Sequence, residues 1–226
     1  MEGMFTLVFE TSTARGSLAI IGADGSLEQR QFTSDRSHNG ALFPFLEELL
    51  DPVKGYEISR VLVGSGPGSY SGTRVGIAAA QGVAIARSCP AVAVPSILAL
   101  PQPGLAGPSF VIGDARRGSF WTAKVMGPQM LAMPELTDAC GLGAIVSAAL
   151  EEGLSVFSFE EPERFPLPPG LRAHIQLEFP SAARLWEAWS AASDTTRETW
   201  LSEPPQPIYL KPPHITPAKR LQSVQP

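Results

Sequence analysis

The sequence predicts an α/β fold of two related halves, and two observations support this fold class. Residues 5–94 read as three short strands, a helix, a strand, a second helix and another strand, an order typical of sheets in which helices connect parallel strands. The strand, polar turn, strand pattern of residues 5–21 then recurs at residues 110–126, where it is less regular. We therefore expect the second half to be a more eroded copy of the first.

Three strands joined by short turns are predicted at the N-terminus. Residues 5–9 and 17–21 are continuous apolar runs, and residues 27–32 alternate loosely between apolar and polar side chains. The glycines and aspartate of residues 22–25 are a turn signal between the second and third strands. These features indicate an antiparallel meander.

A helix follows at residues 41–50, where the apolar side chains occupy an arc of roughly 160°. That arc is wider than one sheet requires. Pro44 lacks the amide for an internal helical bond, so the helix is expected to begin near it or to bend there.

A strand, a glycine turn and a second helix come next, at residues 61–87. Gly64, Gly66 and Gly68 allow backbone conformations that side chains forbid, and Ser69 or Ser71 can cap the helix that follows. The turn lacks the Lys-Ser/Thr ending of a P-loop and the spacing of a dinucleotide-binding loop. We therefore interpret it chiefly as the device that brings the strand close to the helix.

The second helix has little polar surface, and a row of small residues, Gly72, Gly76 and Ala80, recurs at four-residue spacing. Both helices therefore have more apolar surface than one sheet would cover. The alternative to a partner protein is a cover formed by the chain's own C-terminal half. The predicted partner-binding residues are Leu42, Phe43, Leu46, Leu50, Gly72, Val75, Gly76, Ala79, Ala80 and Val83.

The organisation beyond residue 94 is less clear. Residues 95–108 are rich in proline and glycine and mark a domain boundary, which divides the chain into residues 1–100, residues 101–215 and a disordered tail at residues 216–226. Tyr209 and Leu210 are expected to form an ordered island in the proline-rich C-terminal region. The remaining predicted elements are strands at residues 110–113, 120–126, 154–159 and 171–175 and helices at residues 138–152 and 182–192.

The composition restricts the class of protein. A chain of 226 residues with 44% hydrophobic content can bury a sizeable core, and its net charge of -5 argues against a basic face that grips nucleic acid by itself. Two cysteines do not suggest a disulfide framework, and no signal segment precedes Phe5. We expect a cytoplasmic protein without a membrane-spanning helix.

Two polar turns are candidates for binding an anion. Glu10 is followed by the hydroxyl-rich residues Thr11, Ser12 and Thr13, whose side chains and amides can cradle an anion, although such hydroxyls more commonly bond turn amides.

In the second half, Asp114 could approach a metal or phosphate and Arg116 an anion, but turn formation and surface charge are the commoner roles. The three histidines and two cysteines have no ligand-like spacing, and no nucleophile and base can be paired. We assign no catalytic residue, metal site or cofactor to the chain itself.

Several segments carry a family resemblance: LVFETSTARGSLAI, SHNGALFPFLEELL, VGSGPGSYSGTRVGIAAAQGVAIA, GDARRGSFWTA and the late IYL. Together they resemble the TsaB (YeaZ) family of bacterial tRNA threonylcarbamoyladenosine biosynthesis proteins, densely between residues 5 and 125. The resemblance implies an actin-like fold, of the Hsp70, sugar kinase and ribonuclease H-like type, with two half-domains of which the second is reduced.

The resemblance also implies an accessory, non-catalytic role. Such proteins pair with a related catalytic subunit, TsaD, whose metal and ATP chemistry transfers a threonylcarbamoyl group to adenosine 37 of tRNAs reading ANN codons. The two apolar helices are then expected to pack against TsaD or in a homodimer. A TsaE-like ATPase is a further expected partner, and tRNA is expected to bind only through the complex.

This sequence departs from the family pattern at three positions. Glu10 replaces the common Asp, Ser71 the common Thr, and Lys211 the common Arg. The extra methylene of Glu10 moves its carboxylate by about 1 Å, enough to spoil a tuned metal or phosphate geometry, so the two polar turns are expected to be vestigial nucleotide loops. The alternative function is an ATP-dependent kinase or ATPase of the actin-like superfamily that uses these turns.

Overall fold

A computed structural model describes residues 4–33, 38–101 and 107–211 of the chain. The described residues form two mixed β-sheets with helices packed against them. The tail predicted for residues 216–226 lies outside the described residues. None of the described helices is long and apolar enough to span a membrane.

The first sheet has five strands in the order β3-β2-β1-β4-β5. The first three strands form the predicted antiparallel meander, and β4 and β5 continue the sheet parallel to β1, with Leu7 opposite Val61 in the β1–β4 register. The strands are β1 Met4–Glu10, β2 Arg15–Gly22, β3 Leu27–Thr33, β4 Glu57–Gly64 and β5 Ala91–Val94, and the helices between them are α1 His38–Leu50 and α2 Tyr70–Arg87. Pro44 lies inside α1 and does not start it.

The second sheet repeats this arrangement. Strands β6, β10 and β11 are parallel, β7 pairs antiparallel with β6, and the place of a third meander strand is taken by two short strands that both pair with β7. The strands are β6 Ser109–Asp114, β7 Phe120–Met126, β8 Gln129–Met130, β9 Glu135–Thr137, β10 Ser155–Ser158 and β11 Ile175–Leu177, and the helices are α3 Ala139–Glu151 and α4 Pro169–Arg172.

The counterpart of α2 in the second half is α4, which has 4 residues where α2 has 18. The predicted fold class, α/β with two related halves of which the second is reduced, is therefore confirmed. The strand expected at residues 171–175 is wrong, because this segment contains the end of α4 and the strand begins only at Ile175.

The two faces of the first sheet are covered by different parts of the chain. Side chains alternate along β1, so that Leu7 and Phe9 pack with α1 and α2, whereas Val8 packs with Leu185 and Trp189 of a C-terminal helix. The two C-terminal helices are α5 Ala182–Ala191 and α6 Asp194–Ser202. The C-terminal helices thus lie on the side of the sheet opposite α1 and α2, and they leave the outer side of those helices uncovered.

An apolar cluster joins the two halves. The short 3-10 segment Ser96–Leu98, which follows β5, packs with Trp121 of β7, Phe157 of β10 and Ala188 of α5. On the other face of the second sheet, α3 covers β6 and β10 through Leu142 and Val146. The halves are therefore connected by buried packing as well as by the chain.

Candidate functional site

A cleft of about 670 Å³ lies between the two halves. Both polar turns identified in the sequence reach it, one after β1 and the other after β6, together with the glycine turn and the segment that follows α6. The lining includes Ser12, Thr13, Gly68, Ser69, Tyr70, Asp114, Arg116, Glu160, Arg164, Tyr209 and Lys211. The fold thus brings together residues that the sequence holds far apart.

Glu10, at the end of β1, faces its own turn. Its side chain is fully buried, Oε1 accepts a hydrogen bond from the amide of Ser12 at 2.7 Å, and no hydrogen-bond donor to Oε2 is found among the described residues. Burial raises the pKa of the Glu10 carboxyl above its ordinary value, against the opposing effect of the hydrogen bonds from Ser12. A Cβ at Gly64 would collide with Oε2, so β4 needs glycine where it passes this carboxyl.

Two of the three hydroxyls that follow Glu10, those of Thr11 and Thr13, bond to the backbone. Thr11 Oγ1 donates to the carbonyl oxygen of Gly72 in α2 at 2.8 Å, and Thr13 Oγ1 donates to the carbonyl of Arg15 at 3.1 Å. The turn therefore connects β1 to α2. The Ser12 hydroxyl is buried, and no hydrogen-bond partner for it is found among the described residues.

The glycine turn lies directly against this first polar turn. Gly66 has a φ of +84°, which favours glycine, and a Cβ at Gly68 would collide with the carbonyl oxygen of Ser12. That carbonyl accepts a hydrogen bond from the amide of Ser69 at 2.6 Å. Ser69 is also the N-cap of α2, accepting from the amide of Gly72 at 3.2 Å, which selects it over Ser71.

The turn after β6 repeats the geometry of the turn after β1. Asp114 Oδ1 accepts a hydrogen bond from the amide of Arg116, two residues later, at 2.6 Å, as Glu10 does from Ser12. Its Oδ2 lies 3.0 Å from Arg116 Nη1 and 3.6 Å from Arg164 Nη2. The repeat between the halves thus extends to the carboxylate at each strand end.

Glu160 is a site residue that the sequence reasoning missed. It follows β10, the neighbour of β6, and its Oε2 accepts a hydrogen bond from the amide of Asp114 at 3.3 Å. Burial raises the pKa of the Glu160 carboxyl. Its position after the carboxyl end of a parallel strand is the signal that could have identified it, because ligand sites of open α/β sheets lie at that edge.

These carboxyl groups do not form a metal centre. Glu10 and Asp114 each bond an amide of their own turn, and Glu10 does not line the cleft. Within residues 4–33, 38–101 and 107–211, no group of three or more His, Cys, Asp and Glu side chains could hold a metal ion.

The structure narrows the predicted partner-binding face. Five of its residues are buried in the chain's own core and face the first sheet: Leu42, Leu46, Gly72, Gly76 and Ala80. A Cβ at Gly76 would collide with Thr11 Oγ1, so the small-residue row packs against β1 and its assignment as a surface for another helix is corrected. Leu50, Val75, Ala79 and Val83 are half-buried, and only Phe43 is well exposed, at 52%.

The outer side of α2 carries a different set of residues. Ala78, Gly82 and Ala86 are exposed there, together with Ile85, whose exposed fraction is 81%. A Cβ at Gly82 would meet nothing within 4 Å. We call Phe43 of α1 together with Ala78, Gly82, Ile85 and Ala86 the outer face.

Comparison with known proteins identifies the family. The family model described as TsaD, tRNA N6-adenosine threonylcarbamoyltransferase, matches residues 31–180. The tRNA threonylcarbamoyladenosine biosynthesis protein TsaB of Escherichia coli is 29% identical over 101 residues, 44% of this chain and 43% of that protein. TsaB of Bacillus subtilis is 29% identical over 126 residues, 53% of this chain and 54% of that protein. The matched segments thus span about half the length of these curated relatives.

Two further similarities extend over more of the chain. An uncharacterized protein of Mycobacterium leprae is 30% identical over 179 residues, 75% of this chain and 50% of that protein. YeaZ from Pseudomonas aeruginosa has the same fold, with a TM-score of 0.68 and 23% identity over 92% of this chain and 100% of that chain.

Two sheets of repeated strand order that meet at a cleft define an α/β protein of the actin-like class. The family model covers well over half of the sequence. The chain belongs to this TsaD family. Within the family, the chain is similar to the TsaB (YeaZ) proteins.

Proposed function

We propose that this chain is an accessory, non-catalytic subunit of the complex that forms N6-threonylcarbamoyladenosine at position 37 of tRNAs reading ANN codons. Similarity to TsaB proteins supports this function, since the relatives in E. coli and B. subtilis are named as tRNA threonylcarbamoyladenosine biosynthesis proteins. The chain binds and activates a TsaD-like catalytic subunit. ATP, magnesium and the catalytic metal belong to the partner subunits, and tRNA is contacted through the complex.

The outer face is the observation that carries this proposal. Ile85 exposes 81% of its surface on a helix whose neighbouring outer positions are alanine and glycine, so another helix can approach the backbone of α2 closely. Phe43 adds a large exposed ring on α1, which contacts α2. Apolar surface of this kind is typical of protein interfaces when it is contiguous. We assign the TsaD-like subunit to it.

Co-purification with the TsaD-like subunit of the same organism tests this assignment. Ile85→Glu places a charge on the outer face and is expected to reduce complex formation at least about tenfold, because a buried unpaired charge is costly. Leu201→Glu is the matched control, since Leu201 is an exposed leucine of α6, with an exposed fraction of 47%, outside this face. Equal complex formation by the Ile85 and Leu201 variants would contradict the assignment.

Reconstitution tests the function itself. The TsaD-like subunit and the TsaE-like ATPase are combined with tRNA, a threonylcarbamoyl donor and ATP, with and without this chain. We expect modified adenosine to form in quantity only when the chain is present, and Ile85→Glu to restore little activity. Equal modification without the chain would contradict the accessory role.

A homodimer through the outer face is part of the same proposal. Two copies that meet at α2 would bury the same Ile85 that the TsaD-like subunit covers, so the two assemblies compete. Light scattering of the isolated chain is expected to show a concentration-dependent dimer that Ile85→Glu reduces to a monomer. A dimer that persists in this variant would place the contact elsewhere.

One observation favours a second candidate function, an ATP-dependent kinase or ATPase. The cleft of about 670 Å³ is large enough for a small-molecule ligand, and both polar turns line it. Against this function stand the carboxyl groups of Glu10 and Asp114, which are bonded to their own turns. Calorimetry of the isolated chain with Mg-ATP separates the two functions: we expect no binding in the micromolar range, and such binding would favour the enzyme.

A further inference from the structure

The segment at residues 204–211, here called the strap, has no helical or strand structure and extends across the cleft. Near its middle, the amide of Ile208 donates to the carbonyl oxygen of Ser65 in the first half at 2.9 Å. At its far end, Lys211 Nζ donates to the carbonyl oxygen of Arg116 in the second half at 2.9 Å. The strap is thus bonded to both walls of the cleft.

A cluster of aromatic rings and one guanidinium holds the centre of the strap against α2. Arg74 Nε donates to the hydroxyl of Tyr209 at 2.8 Å, and the Arg74 guanidinium lies 4.4 Å from the centre of the Tyr70 ring. The two tyrosine rings are 5.9 Å apart. Both tyrosines belong to the cleft lining, so the cluster forms part of the cleft wall.

Within the described part of the chain, the strap is held by few contacts, and water reaches most of them. One further contact to α2 is the hydrogen bond of 3.5 Å that Gln81 Nε2 donates to the carbonyl oxygen of Pro205. Tyr209 is 50% exposed, and Arg74 is also exposed. Leu210 provides apolar packing against the cluster that joins the two halves. Half-exposed polar contacts contribute little net stability, because water replaces them when they break. The strap can therefore detach while both sheets stay folded, which is typical of segments with few buried contacts.

We propose that the strap is a conformational device of the fold: a lid that detaches from α2, from the Ser65 carbonyl and from the second half as one unit, opening the cleft and freeing Arg74. The polar turns at Ser12 and Asp114 become accessible only on that side when the lid is open. The lid requires no partner protein and is independent of the proposed subunit role. The defining property of the lid is that the contacts of Tyr209 and Lys211 break together.

Hydrogen exchange of the full-length chain, followed by mass spectrometry, tests this coupling. Tyr209→Phe keeps the ring but removes the hydroxyl, and Lys211→Met removes the ammonium group but keeps the aliphatic stem. Each variant is expected to accelerate exchange of the Ile208 amide about fivefold, the effect of losing one ordinary hydrogen bond. The Lys211 variant is also expected to accelerate exchange in the first turn of α2, which contains none of its own contacts.

Tyr56→Phe is the matched control, because Tyr56 is an equally exposed tyrosine outside the strap, with an exposed fraction of 53%. Exchange in the strap and in the first turn of α2 should match the unmodified protein in this control. The lid would be overturned if Lys211→Met left exchange at the start of α2 unchanged, or if strap and core exchanged at the same rate in the unmodified chain.

Discussion

Thr11 Oγ1 lies 2.8 Å from the carbonyl oxygen of Gly72 and donates a hydrogen bond to it, although the two residues are 61 positions apart in the chain. Both residues are buried. The bond joins the end of the central strand β1 to the first turn of α2, and Gly76 packs against the same threonine one turn later. The side of α2 that faces the sheet, and therefore the side left for a partner, is set by these contacts.

Thr11→Val tests the hydrogen bond with little change of shape. Removal of the hydroxyl leaves one acceptor site of a buried carbonyl without its donor, and we expect the free energy of unfolding to fall by about 1–3 kcal/mol. Thr199→Val is the control, because Thr199 makes a hydroxyl-to-carbonyl bond of 2.9 Å on the exposed surface of α6, where a change within about 0.5 kcal/mol is expected. Urea unfolding measures both. Equal losses of stability in the two variants would show that the buried hydrogen bond contributes no more to stability than the exposed one.

Two glycine substitutions in α2 test which side of the helix faces the sheet. Gly76→Ala adds a Cβ that collides with Thr11, so a loss of stability of about 1–3 kcal/mol is expected. Gly82→Ala adds the same atom where nothing lies within 4 Å, and the better helix propensity of alanine should stabilise the chain by about 0.5–1 kcal/mol. Thermal unfolding shows whether each substitution stabilises or destabilises the chain. Stabilisation by both substitutions would place Gly76 on the outside.

The orientation of α2 shows where sequence reasoning reaches its limit. Turn signals and apolar runs predicted the meander, the crossover helices and the eroded repeat, because each depends on local spacing. The spacing of Gly72, Gly76 and Ala80 predicts a surface for a partner helix, yet Ala78 and Gly82 on the opposite side of α2 are equally small. Spacing cannot decide which side is buried when both are small and apolar. The close packing of Gly76 against Thr11 is a tertiary contact, which the spacing of residues along the helix does not show.

Other features escaped prediction for related reasons. The helix α6 was missed because its sequence, DTTRETWLS, has no apolar stripe, and its cap at Ser193 is a short-range signal only. The cleft site depends on pairs such as Arg74 with Tyr209, which no spacing rule connects. Tyr209 was expected to be ordered, but its partner on α2 could not be inferred from the sequence.

The backbone of the second polar turn provides a third prediction. Arg116 and Arg117 have φ values of +66° and +58°, which are unfavourable for residues with a side chain. Arg117→Gly is expected to stabilise the chain by about 0.5–1 kcal/mol, because glycine accepts this conformation without strain. Glu203→Gly is the control at a φ of -111°, where glycine should destabilise slightly or have no effect. Denaturant titration measures the stability of both variants. Destabilisation by Arg117→Gly would show that the backbone at Arg117 is not strained.

The buried Glu10 carboxyl predicts a dependence of stability on pH. Burial raises its pKa in the folded chain above the ordinary value of 4.5, so the folded state holds the proton more tightly than the unfolded state. Stability from this group is fully present below about pH 4.5 and is lost as the pH rises through the folded pKa. Glu10→Gln cannot ionise and avoids this loss.

The stability of Glu10→Gln relative to the unmodified chain should therefore increase as the pH rises above about 4.5. Glu160 also has a raised pKa, but it is present in both proteins and its effect cancels in the difference. Urea unfolding at intervals of pH measures this difference. The difference should change most steeply between the ordinary pKa of 4.5 and the raised folded pKa of Glu10, and level above the folded pKa. The stability difference could instead stay constant with pH, or the glutamine variant could become relatively less stable as the pH rises. Either result would show that Glu10 is not held as a buried neutral carboxyl beneath the glycine turn.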